Sequence, residues 1–324
     1  MTLFLVRRSL QALGVLFVMS ILVFIGVYTI GDPIEVLVSP EADYIERQRV
    51  IEGFGLNLPL WRQYLIFLWK ALHGDLGNSF VFNEPALTLI LQRMPATLEL
   101  ALMAMVLALV IGLPLGLYAG MKPESGFAKL IMAASILGFS VPTFWVGLIL
   151  IMIFSLELGW LPSIGRGETV NVLGVEWSFL TLDGLAHLAM PALNLALFKI
   201  SLIIRLTRSG TRETMLMDFV KFARAKGLSP MRVTYVHIFK NILIPVVTIV
   251  GLEFGSVIAF SVVTETIFAW PGMGKLIIDS INLLDRPVIV AYLMIIVTMF
   301  ILINLIVDLT YSALDPRVRL ESKE

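Results

Sequence analysis

The chain has 324 residues, 58% of them hydrophobic and 15% charged, with a mean hydropathy of +0.91. Soluble domains run nearer ~25% charged, so the composition excludes an ordinary soluble domain and specifies an integral membrane protein. Lys+Arg and Asp+Glu balance at 24 each, which gives no case for nucleic acid, and the lack of cysteine excludes disulfides, thiolate metal sites and Cys nucleophiles.

In chain order, Arg7 and Arg8 precede an uncharged apolar run, Ser9–Ile30. It is longer than the ~7–15 residues of a signal-peptide core, and no small-residue cleavage site follows, so a retained transmembrane helix over residues 1–30 is expected. About 20 apolar residues cross the hydrocarbon, and five further runs qualify: Ala96–Ala119, Leu130–Leu156, His187–Leu206, Ile242–Phe268 and Val288–Tyr311. The expected fold class is all-α with six transmembrane helices. Its parts are the first helix, a segment over 31–95, a core of five helices over 96–312 and a tail over 313–324. Within 31–95, Trp61–Leu72 mixes aromatic and aliphatic residues with Arg62, Gln63 and Lys70, as suits a helix lying on the membrane surface. His73–Ser79 (HGDLGNS) reads as a turn. Gly112, Gly116 and Gly120, and Gly251 with Gly255, put small residues on one helix face, which lets a second helix approach closely. Pro142 should kink the third span by removing a backbone hydrogen bond. Lys199 interrupts the fourth. Ala269–Gly274 (AWPGMG) is a tight turn beside an interfacial Trp270.

Between the fourth and fifth spans lies a basic stretch, 207–240. Asp218–Lys226 reads as a short helix closed by Gly227, a residue that takes the left-handed conformation readily. Ser229 can then cap a second helix with Pro230 in its first position. Lys and Arg are counted over the short connections with the N-terminus inside, leaving out 31–95, which is long enough to translocate regardless. Fifteen then fall inside, with the basic connection counted from Arg205, and three outside. The positive-inside rule therefore puts both termini and this elbow in the cytoplasm. A rigid cytoplasmic corner suits docking of another protein; its charge also suits anionic lipid.

Ionisable side chains inside spans need a partner or water. Glu253 and Lys199 fall near the centre of theirs, whereas Glu99, Glu265 and Asp308 fall nearer the ends. The functional reading makes Glu253, Lys199 and Glu265 the lining of a polar translocation path; the structural one makes Lys199 and a carboxylate a buried ion pair. His73, His187 and His237 are too scattered for one metal site. The sequence has no HExxH, no G-x-S-x-G and no phosphate-binding G-x-x-x-x-G-K-[ST], so no means of hydrolysing ATP is visible. A secondary transporter could share the six spans, but often shows inverted repeats, and none is visible.

The stretch FARAKGLSPMRVTYVHIFKNILIPVVTIVGLEFG resembles the EAA loop and following helix in permeases of bacterial and archaeal ABC importers, in the dipeptide, oligopeptide and nickel group. Val263–Ile277, Ile303–Arg317, Gly31–Pro33, Gly55–Tyr64, His73–Ser79 and Ala96–Leu100 resemble the same group, so the likeness runs the length of the chain. It implies the type I importer permease (MetI-like) fold, as the first of two permease subunits, with a long extracytoplasmic loop after helix 1. A cytoplasmic coupling helix would lie between helices 4 and 5. Ala223, Arg224, Ala225, Lys226, Gly227, Leu228, Ser229 and Pro230 would form this coupling corner. Lys221-Phe222-Ala223 stands where the general pattern has Glu-Ala-Ala, so no glutamate role carries over. The resemblance also implies the partners: a second permease subunit, two ATP-binding subunits that hold ATP and Mg, an extracytoplasmic binding protein and membrane lipid. This chain itself would be non-catalytic, without a cofactor, in a cytoplasmic membrane. The implied substrates are di- and oligopeptides, with nickel chelates, glutathione or oligosaccharides as alternatives.

Overall fold

The computed structural model describes residues 2–28, 43–53 and 57–314; the expectations for Gly31–Pro33 and for the tail fall outside these residues. Two compact units divide the chain, one formed by Met1–Ala96 with Pro271–Leu302 and the other by Thr97–Trp270 with Ile303–Glu324.

In the first unit, α1 (Thr2–Tyr28) is followed by α2 (Tyr44–Gly53) and α3 (Leu60–Leu72). The α3 helix buries none of its residues. It leans on α1 through Tyr64, whose hydroxyl is 2.9 Å from Ser20 Oγ, and through the stacked Phe24–Phe67 pair. Trp61, Leu65, Trp69 and Leu72 stay exposed, the apolar surface expected of an interfacial helix. The His73–Ser79 turn is observed, with Gly74 and Gly77 at positive φ. Ser79 donates to the fully buried carboxylate of Asp285, which also accepts from Phe80 N at 3.1 Å. Helix α10 (Met273–Asn282) and, as far as Leu302, helix α11 (Arg286–Leu314) belong to this unit from the C-terminal part of the chain.

The second unit takes up α4 (Ala86–Met121) beyond Ala96 and then α5 (Gly126–Ser140), capped by Ser125 Oγ accepting from Ala128 N. The third span is broken rather than kinked. Helix α6 (Thr143–Leu150), continued by a π-helical turn over Ile151–Glu157, departs from α5 at 106°. Val141 is extended, at φ −86° and ψ 131°, because the ring of Pro142 crowds the residue before it out of the helical region. The helix therefore ends at Ser140 instead of bending through the proline. A two-stranded antiparallel hairpin, β1 (Val170–Val172) and β2 (Val175–Trp177), follows and departs from the expected all-α fold. Helix α7 (Leu182–Leu216), capped by Thr181, runs unbroken past Lys199. At 1.5 Å per residue, 35 residues are ~50 Å, well beyond a ~30 Å hydrocarbon core.

The glycine strip of α4 is an intramolecular seat for α7. A Cβ at Gly112 would lie 2.8 Å from Ile203, one at Gly116 2.7 Å from Ile204 O, and one at Gly120 2.5 Å from Thr211. Gly251, on α9 (Lys240–Ile267), likewise faces Val307. Among the described residues four helices are long and apolar enough to cross a membrane, or five if α5 and α6 form one span, and Leu10–Gly26 is a shorter apolar helix.

Candidate functional site

The elbow is a local structure with each part satisfied. Helix α8 (Asp218–Ala225) closes with Gly227 N donating to Arg224 O at 2.9 Å and Leu228 N to Ala223 O at 3.3 Å. These two bonds are the Schellman pattern, and they need Gly227 at φ +75°. Ser229 Oγ then accepts from Arg232 N, and Pro230 opens the turn Pro230–Arg232, which continues as a π-helical Val233–Phe239 into α9. Val220 and Ala223 point inward and join a core with Leu117, Val233, Ile238, Ile242 and Val246. Pressure on the corner therefore bears on α4 and α9 through packed side chains.

Ala223, within the coupling corner that the resemblance implies, is 4% exposed and anchors the helix from beneath. The outward face is apolar as well as basic: Phe219, Phe222, Met231 and Tyr235 are exposed, interleaved with Lys221, Arg224, Lys226 and Arg232. Lys226 lies over the Phe222 ring at 4.6 Å. Ala225, Gly227, Ser229 and Pro230 are exposed as expected, and Leu228 is half-buried.

The candidate path residues separate into two environments. Lys199 on α7 and Glu253 on α9 form an ion pair, with Ser256 Oγ 2.8 Å from Lys199 Nζ and 2.9 Å from Glu253 Oε2. Glu253 remains 30% exposed at its side chain and Lys199 10%. The pair thus satisfies the electrostatic demand of a membrane interior while leaving one edge open. Glu265 is different: it is fully buried, and its Oε1 accepts from Thr97 Oγ1 and Ser261 Oγ, each at 2.8 Å. It ties α9 to α4 from a core position, not from an open face.

One site went unread in the sequence. Glu99 Oε1 accepts from Ser178 N, Ser178 Oγ and Phe179 N, while its Oε2 accepts from Arg166 Nε and Nη2 at 3.1 and 2.7 Å. Arg166 also lies over the ring of Trp270, which is buried rather than interfacial as expected. Gly165 N donates to Phe268 O at 2.9 Å. The hairpin loop is thus fastened to Glu99 within α4 and to the end of α9. On the hairpin, Thr169 first and then Asn171 hydrogen-bond the exposed Glu176 carboxylate and hold it below the usual carboxylate range. The alternation Val170, Val172, Val175, Trp177 around Leu173-Gly174 was the available signal.

A helical membrane unit with an outward elbow matches a family model described as binding-protein-dependent transport system inner membrane component, over residues 112–320. The chain belongs to this family. Its N-terminal companion model matches residues 1–101. The family member is 39% identical over 330 residues to the di/tripeptide transport system permease protein of Pseudomonas aeruginosa, with 98% of each chain covered. It is 39% identical to the oligopeptide transport system permease protein of Bacillus subtilis, with 98% of this chain and 99% of that one covered. A glutathione transport system permease protein of Escherichia coli is 36% identical over 98% of each. Among solved structures, a chain of the MetNI methionine ABC transporter in inward-facing conformations aligns with a TM-score of 0.53 at 16% identity. That alignment covers 70% of this chain and 96% of the other. The fold is therefore the helical MetI-like one, and the protein is a multi-pass inner-membrane component of a transport system.

Proposed function

We propose that this chain is one transmembrane permease subunit of an ABC importer that carries di- and oligopeptides across the cytoplasmic membrane. Six spans with both termini cytoplasmic make up the subunit: a first helix over 1–30, an extracytoplasmic segment over 31–95, a core over 96–312 and a tail over 313–324. A second permease subunit completes the path, two ATP-binding subunits hold ATP and Mg, and an extracytoplasmic binding protein delivers substrate. The observation that carries this reading is the elbow at Ala223–Pro230. It is capped at both ends, seated on α4 and α9, and turns aromatic and cationic side chains outward. Closure of the ATP-binding subunits would push on that corner and move packed helices as rigid bodies between outward- and inward-open arrangements. The chain itself is the non-catalytic part. Peptide is favoured by the peptide permeases among its relatives; glutathione, itself a tripeptide, is a second reading that the glutathione relative supports.

The test is reconstitution. The tagged chain purified from its own membranes should carry a second permease and a protein with a phosphate-binding loop. In liposomes that complex should take up labelled dialanine only with ATP and the loaded binding protein. Uptake by the isolated chain on a proton or sodium gradient would favour a secondary carrier instead.

A further inference from the structure

Beside the Lys199–Glu253 pair is a second charge with no counterpart. Arg205 lies six residues along α7 from Lys199. Its guanidinium sits over the ring of Phe139 at 4.5 Å, and its Nε approaches Ser201 O at 3.4 Å. Among the described residues it makes no ion pair. Phe139 in turn stacks on Phe198, with ring centroids 4.5 Å apart, and Lys199 Nζ is 5.1 Å from the Phe198 ring. Phe139 stands two residues before Val141, where α5 breaks from α6, so this aromatic pair borders the bend in the third span. On the other side of Lys199, the bonds of Glu253 to Lys199 and to Ser256 all use Oε2. Oε1 has no partner among the described residues, and the side chain is part-exposed. One unbonded carboxylate oxygen and one guanidinium without an ion pair thus lie beside a stacked aromatic pair, all within the second unit.

We infer that Arg205 and Glu253 grip the two ends of a short zwitterionic peptide: Arg205 binds the C-terminal carboxylate, Glu253 Oε1 binds the N-terminal ammonium, and the stacked Phe139 and Phe198 pack against the peptide's middle. Lys199 is the positioning residue, holding Oε2 so that Oε1 faces outward. A guanidinium suits the carboxylate because its planar fork donates two parallel hydrogen bonds.

This inference rests on the peptide reading above, and the experiment separates the two. The whole importer is reconstituted with its binding protein preloaded to equal occupancy with dialanine, dialanine amide or N-acetyl-dialanine. The same binding protein serves every complex, so the ratio of variant to parent uptake isolates the permease. Arg205→Gln should lower the dialanine-to-amide uptake ratio by about tenfold or more, the worth of a charge-assisted hydrogen bond; Arg205→Lys should restore part of it. Glu253→Gln should lower the dialanine-to-acetyl ratio similarly, and this arm does not depend on Arg205→Gln assembling. If the parent complex moves dialanine but neither ratio changes, the grip is refuted and the peptide reading stands. If the parent complex moves no peptide at all, the peptide reading falls and this inference falls with it.

Discussion

Gly227→Val isolates the elbow's geometry from its contacts. Nothing lies within 4 Å of a Cβ placed at Gly227, so a side chain there meets open space and no steric clash enters. The cost is conformational alone: φ is +75°, and a non-glycine residue in the left-handed region loses about 1–2 kcal/mol, with β-branched residues at the upper end. At 1.4 kcal/mol per factor of ten, the closed turn should lose roughly 5- to 30-fold in population against opened forms. Both bonds of the cap, to Arg224 O and Ala223 O, are lost when the turn opens. The core beneath, built on Val220 and Ala223, stays packed. The assay is ATPase activity of the reconstituted complex with and without loaded binding protein. Stimulation should fall severalfold in Gly227→Val, less in Gly227→Ala, and least in Gly227→Asn, which tolerates the left-handed region best. Full stimulation in the valine variant, with normal assembly, would refute the reasoning that the corner's rigidity transmits work.

Other perturbations test the surroundings. Glu99→Ala removes the acceptor for Arg166, Ser178 and Phe179 and leaves a half-buried cation that keeps only Glu176 O and the Trp270 ring; the cost should be below the about 3–5 kcal/mol of breaking a fully buried pair. Hydrogen exchange should show residues 166–180 losing protection, with a lowered melting temperature for the purified protein. Gly116→Val forces a side chain onto Ile204 O and Thr207, and overpacking of this kind costs about 1–3 kcal/mol or prevents assembly; thermal stability in detergent reads it directly. The depressed carboxyl of Glu176 contributes stability that is present above the ordinary carboxylate range and is lost as pH falls through its lowered value. Proteolysis within Val170–Trp177 should therefore be flat from about pH 7 to 5 and rise only below about pH 4, and Glu176→Gln should abolish that rise.

The elbow was legible in the sequence because the bonds that cap it are local. Gly227 after a short basic helix, Ser229 as cap and Pro230 at the first position act within six residues of one another. The Lys199–Glu253 pairing was open to reading as one of two alternatives, since a lone lysine inside a span needs a carboxylate somewhere. Glu265 and Trp270 were placed wrongly in character because their burial depends on residues far along the chain; Thr97 is 168 positions from Glu265. The same holds for Glu99 and Arg166, 67 positions apart. At Pro142 the reading applied the lost hydrogen bond, which bends a helix, and left out the clash of the proline ring with Val141, which ends it. The outward aromatic face of the elbow was not read, because the basic charge and the Ala223–Pro230 corner drew the reading away from Phe219, Phe222 and Tyr235.

The central claim is that an ATP-binding subunit seats on this corner, and the chain's lack of cysteine makes it directly testable. Phe222→Cys, labelled with benzophenone maleimide in native membranes and irradiated, should yield one cross-linked product containing the ATP-binding subunit, with a yield that changes when ATP is added. Cross-linking to lipid alone, with no ATP-binding subunit in any product, would contradict the account.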